Sequence, residues 1–111
     1  MVLDSMPLYK KGERPAPYIA RFRTTAGPMD LTGWVPELRW HNPATNTTTV
    51  DANACALRSA VGGEVEVIWP DALMDSTTPI IYANVWIEKD IYSYSSDDII
   101  ITLEEPAGGS V

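Results

Sequence analysis

Gly62-Gly63-Glu64-Val65-Glu66-Val67-Ile68-Trp69-Pro70 carries the clearest alternation in the sequence. Val65, Val67 and Trp69 fall on one side of an extended chain, and Glu64 and Glu66 fall on the other. A period of two is the pattern of a strand with one face on a core and one in water. The glycines supply a turn before it. Pro70, which has no N–H to donate, ends it.

The same pattern recurs on both sides. Toward the C-terminus, Asp71–Asp75 reads as one helical turn, with Leu73 or Met74 plugging the core. Ser76-Thr-Thr-Pro79 resets the chain. Ile80–Lys89 is a long strand with Ala83, Val85 and Ile87 on one face and Tyr82, Asn84, Trp86 and Glu88 on the other. Large groups on both faces call for a central strand, or for a partner over the second face. Asp90–Asp98 reads as a hairpin connection rich in tyrosine and serine, and Ile99–Leu103 as the closing strand. Toward the N-terminus, Cys55–Arg58, Thr47–Val50, Val35–His41 and Tyr18–Thr24 read as strands, separated by Asn42-Pro43-Ala44-Thr45-Asn46, a Met29–Gly33 unit and Ala26-Gly-Pro28. Pro36 inside a strand predicts an edge position or a bulge. About seven short strands with frequent turn signals predict an all-β, immunoglobulin-like antiparallel β-sandwich, with a small barrel as the alternative. The expected organisation is an extended N-terminal arm at 1–17, a sandwich at 18–104 and a flexible tail at 105–111.

Composition narrows the function. The chain has 111 residues, a net charge of −7, one cysteine and one histidine. A lone Cys55 forms no intramolecular disulfide, and it reads as a small buried hydrophobe. The acidic balance speaks against general affinity for nucleic acid or membranes. No apolar run reaches the length that spans a bilayer, and Met1-Val-Leu-Asp-Ser-Met-Pro7 has no basic n-region, so synthesis in a cytoplasm is expected. The charge is polarised along the sequence. Residues 1–40 carry six basic side chains, Lys10, Lys11, Arg14, Arg21, Arg23 and Arg39, against four acids, whereas residues 41–111 carry two against eleven. That polarity suggests a subunit meeting its neighbours head to tail.

Catalytic constellations are not legible. Nucleotide-binding glycine motifs and nucleophile elbows are absent. His41 has no sequence-adjacent partners for a triad. Glu64 and Glu66 have a separation that a glycosidase pair tolerates, but they form the wet face of an amphipathic strand. Asp97-Asp98 lacks the spacing of a calcium loop. Asn46-Thr-Thr48 matches a glycosylation acceptor, which carries no meaning without a secretory signal. No catalytic residue, metal, cofactor or small-molecule substrate is expected, and the chain reads as a non-enzyme. Contact residues are expected instead at Leu8, Tyr9, Lys10, Lys11 and Arg14 on the arm, and at Trp34, Tyr82 and Trp86 on the body, because aromatic residues dominate binding hot spots. Trp40 and Trp69 share their alternation with core residues. A platform of Trp34 and Trp86 for sugar rings is the alternative, as in a carbohydrate-binding or adhesin-type module.

Several segments carry a resemblance. Asp30-Leu-Thr-Gly33 leads into Val35–Trp40. Gly62-Gly-Glu-Val-Glu-Val-Ile-Trp69 is followed by the acidic Asp71–Asp75 turn, then Ile81-Tyr-Ala-Asn-Val-Trp-Ile87, and last Ile101-Thr-Leu-Glu-Glu-Pro106. Over about residues 18–106 this resembles the immunoglobulin-like domains of tailed-bacteriophage virion proteins, in particular the N-terminal domain family of the upper baseplate protein. The chain departs from that family at Pro79-Ile-Ile81, where a glycine usually precedes the tyrosine, and in the arm at 8–17. The resemblance implies a structural protein of tail, baseplate or head–tail region, located in the virion. Its partners would be other virion proteins and copies of itself.

Overall fold

A computed structural model describes residues 7–104. Its strands are β1 (Leu8–Lys10), β2 (Tyr18–Arg21), β3 (Arg23–Thr24), β4 (Gly27–Pro28), β5 (Val35–Asn42), β6 (Thr47–Asp51), β7 (Cys55–Ser59), β8 (Glu64–Val67), β9 (Ile80–Lys89), β10 (Tyr92–Ser95) and β11 (Ile99–Glu104). One helical turn, α1 (Asp71–Met74), links β8 to β9. The larger sheet runs β1-β11-β9-β5-β6, with β10 also on β9, and the smaller runs β2-β8-β7. This is how an immunoglobulin-like sandwich distributes its strands. All pairs are antiparallel except β1 with β11, which is parallel.

The alternation read from the sequence sets which side chains meet between the sheets. Val65 and Val67 of β8 face Leu38 of β5 and Val85 and Ile87 of β9 in one core cluster, and all five are wholly buried. Leu73 and Met74 of α1 both plug that cluster at zero exposure. Each is worth about 1.5–3 kcal/mol by burial alone. Trp40 and Trp69 are buried as expected.

The Asp30-Leu-Thr-Gly33 unit works as a plug. The Asp30 carboxylate accepts from the Thr32 backbone N–H at 2.9 Å and the Thr32 hydroxyl at 2.6 Å. Those bonds hold Asp30 below the usual carboxylate range. They fold the backbone so that Leu31 drops into the core, while Gly33 takes a left-handed φ of 85° and sends the chain into β5.

Four expectations change. Leu8–Lys10, read as part of a free arm, is the parallel edge strand of the chain's own sheet. Lys11 N–H donates to Glu104 C=O at 2.7 Å and Gly12 N–H to Met74 C=O at 2.8 Å, so the segment straps over α1. Tyr92–Ser95, read as connection, is a strand; left-handed Asp90 makes the preceding turn tight enough for β10 to pair with Trp86–Lys89. Its four exposed residues gave no apolar alternation to read. Pro36 lies in a central strand, but β6 pairs with β5 only from Leu38 onward, so no β6 residue needs its missing N–H. The charge polarity is not spatial. Lys10 pairs with Glu104, Arg14 with Asp71 and Asp75, Arg21 with Glu64, and Arg39 with Glu37 and Glu88. Folding thus sets four of the six basic side chains of residues 1–40 against acidic ones, so much of the linear polarity is paired off within the chain. Residues 1–6 of the expected arm and the expected tail at 105–111 lie outside the described residues. No helix among the described residues is long and apolar enough to cross a membrane.

Candidate functional site

Directly paired residues in a sheet share a face, so register locates the site. Leu38, Trp40, Ala83 and Val85 face inward. Their neighbours Glu37, Arg39 and His41 on β5, Tyr82, Asn84 and Trp86 on β9, and Thr48 and Val50 on β6 therefore face out. The face extends to Ile100 on β11, opposite Tyr82, and to Leu8 on β1. Leu8 is 61% exposed, Val50 55% and Tyr82 40%. A sandwich needs only one buried face per sheet, so this second apolar and aromatic face is surplus to folding.

At its centre the Arg39 guanidinium lies 4.0 Å from the Trp86 ring centroid. Glu37 holds Arg39 at 2.6 Å and Glu88 reaches it at 3.7 Å. The guanidinium so held makes a cation–π contact with the Trp86 ring worth about 0.5–1 kcal/mol at an exposed site. Beside it is a shallow recess of about 300 Å³, bordered by Tyr82, Trp86, His41 and Asp98. Asn84 donates to Asp98, and His41 Nδ1 is 3.0 Å from Thr48 Oγ1. The aromatic side chains at the centre are thus ringed by polar ones that already have partners.

The sequence-read contact residues divide. Leu8, Lys10, Tyr82 and Trp86 share this face. Tyr9 points the other way: it packs on the core and its hydroxyl accepts from the Trp69 indole N–H at 3.1 Å. Arg14 is engaged by Asp71 at 2.9 Å and Asp75 at 3.2 Å, and Lys11 is held through its backbone. Trp34 is half-buried, packs against the core and stacks on Tyr94 at 5.5 Å. Trp34 and Trp86 therefore form no common platform. Sequence reading missed Arg39, whose place over Trp86 depends on cross-strand register. No local pattern gives that register.

Other groups weighed for chemistry are accounted for by structure. Glu64 sits between Arg21 at 3.4 Å and Arg58 at 3.8 Å. Burial pushes the Cys55 thiol up to about 12, with Asp51 and Glu37 adding to it, so the sulfur stays protonated and inert. Among the described residues no group of three His, Cys, Asp or Glu side chains gathers to hold a metal. No protein-family model matches this sequence, and a search of curated proteins finds no match.

Proposed function

We propose that this chain is a structural assembly domain of a tailed-bacteriophage particle, in the tail, baseplate or head–tail region, that binds other virion proteins and copies of itself. The single observation that carries the contact reading is the outer face of the larger sheet, where Leu8, Tyr82 and Val50 stay exposed beside the half-buried Trp86 braced by Arg39. The phage context rests on the resemblance of the Asp30–Gly33, Gly62–Trp69 and Ile81–Ile87 segments. Glu37, Glu88 and Asp98 on that face outnumber Arg39 and Lys10, which favours a partner surface with basic residues around an apolar centre.

Immunogold labelling of purified particles with an antibody to this chain tests the proposal. Regular decoration of tail, baseplate or neck is expected. Unlabelled particles, with the chain left behind in the lysate, would overturn it. A second reading, a sugar-binding module, is favoured by the recess at Tyr82, where an aromatic ring lies beside Asn84 and Asp98. Glycan-array binding abolished by Tyr82→Ala would support that reading, and flat signals across sugars would remove it.

A further inference from the structure

The sandwich has an open flank on its other side. Because β1 pairs with β11, no described strand pairs with the free edge of β2 in the smaller sheet. Phe22 N–H donates to Gly63 C=O at 2.8 Å. By the period of two, Tyr18, Ala20 and Phe22 turn their backbone groups toward β8, and Ile19 and Arg21 turn theirs outward. Two adjoining recesses, of about 210 and about 400 Å³, follow that edge from Tyr18 to Thr24. Their opposite wall is residues between Tyr94 and Ile99, at the junction of β10 and β11. The junction is a bulge. Three residues, Ser96–Asp98, oppose two, Asn84 and Val85, and Val85 N–H is held by the Ser96 hydroxyl at 2.9 Å. Both recesses thus open between the free edge of β2 and that junction. By contrast β7, at the far edge of the smaller sheet, is blunted by a bulge between Leu57 and Ser59 and by Arg58.

We propose that this flank binds an extended segment of another protein, which adds to β2 as a strand. The backbone edge supplies hydrogen bonds whatever the sequence. The recesses supply the preference. The larger one is lined by Phe22, Met29 and Tyr94 and takes an apolar side chain. The smaller one holds Asp97, which is exposed and has no ion pair among the described residues, and it takes a basic side chain. Arg21 is already tied to Glu64, and Arg23 at the far end repels a cation there, so the segment has a defined direction. Strand geometry sets the basic and apolar residues roughly two or four positions apart. This site is separate from the outer face of the larger sheet and stands even if that face docks nothing.

The test is an amide NMR titration of the full chain. The probe is a soluble seven-residue peptide, threonine-lysine-threonine-leucine-threonine-valine-threonine, blocked at both ends. Saturable shifts at Ile19, Arg21 and Tyr94 are expected. N-methylation of alternate peptide amides weakens binding about tenfold, since it removes one or two backbone hydrogen bonds. Exchanging lysine for glutamate weakens binding to the parent protein but strengthens it to Asp97→Lys. The Trp86→Ala protein binds the peptide as the parent does, which separates this site from the docking face. No saturable shift at those amides up to millimolar peptide, or equal binding of the N-methylated peptide, overturns the proposal. So does concentration-dependent broadening of the same amides without peptide, which would assign the flank to a second copy.

Discussion

Among the described glycines, Gly63 has the least room for a side chain. Its φ is +70°, and a Cβ built there would stand 2.4 Å from Phe22 O, 2.9 Å from Met29 O and 3.1 Å from Met29 N. All three neighbours are backbone, so none can swing aside. The left-handed conformation costs an alanine about 1–2 kcal/mol. Relieving the clash means lifting the β3–β4 hairpin off β8, which strains or breaks the bonds from Phe22 N–H to Gly63 C=O and from Met29 N–H to Phe22 C=O. Each such bond is worth about 0.5–1.5 kcal/mol. Gly63→Ala should therefore cost about 2–5 kcal/mol, the sum of a conformational penalty and two bonds. Gly33→Ala is the matched control: its φ is +85°, but its Cβ would meet only the flexible end of Lys89, at 3.4 Å. That variant should lose about 1–2 kcal/mol, the conformational part alone. Urea unfolding followed by tryptophan fluorescence measures both. If the two variants unfold at the same urea concentration, the close approach of β8 to the hairpin is wrong.

Three further outcomes follow from packing and charge. Leu73→Ala should cost about 2–5 kcal/mol in the same urea assay, because α1 fills the core rather than decorating it; a cost below 1 kcal/mol would contradict that placement. Cys55 should resist a thiol reagent at pH 8 in native protein and react at once in urea, as expected of a thiol pushed up to about 12 by burial; rapid native labelling would contradict it. Asp30, held low in the fold by Thr32, contributes stability that is present above the ordinary carboxylate pKa and lost as pH falls through its lowered value. Acid titration of Asp30→Asn should show a shallower loss of stability below pH ~4 than the parent, and superimposable curves would remove that role.

Much of the fold was legible because one face of each sheet is buried. The alternation at Glu64–Trp69 and Ile80–Lys89 gave the strands and which side chains point inward, since a slip of one residue would expose the whole valine row. Asp71–Asp75 was legible as a plug because Leu73 and Met74 are large and sit between two turn signals. The site was half legible. Tyr82 and Trp86 showed as surplus aromatics on the second face of a strand. Arg39 over Trp86, and the burial of Tyr9 against Trp69, depend on contacts between segments distant in sequence. The same cause undid the charge polarity, because pairs such as Arg14 with Asp75 are made by the fold and leave no trace in a linear count. Tyr92–Ser95 left no apolar signal because all four residues are exposed.

We propose that the outer face of the larger sheet binds other proteins. The most direct measurement is incorporation of a Tyr82→Ala, Trp86→Ala double variant into particles assembled with the other virion proteins, beside an exposed-site control, Val61→Ala. Both variants should fold, the control with a urea midpoint close to the parent and the double variant with a lower one, since it loses the Arg39–Trp86 contact. The control should be incorporated at the parent level, and the double variant should stay in the soluble fraction. Full incorporation of the folded double variant would contradict the account.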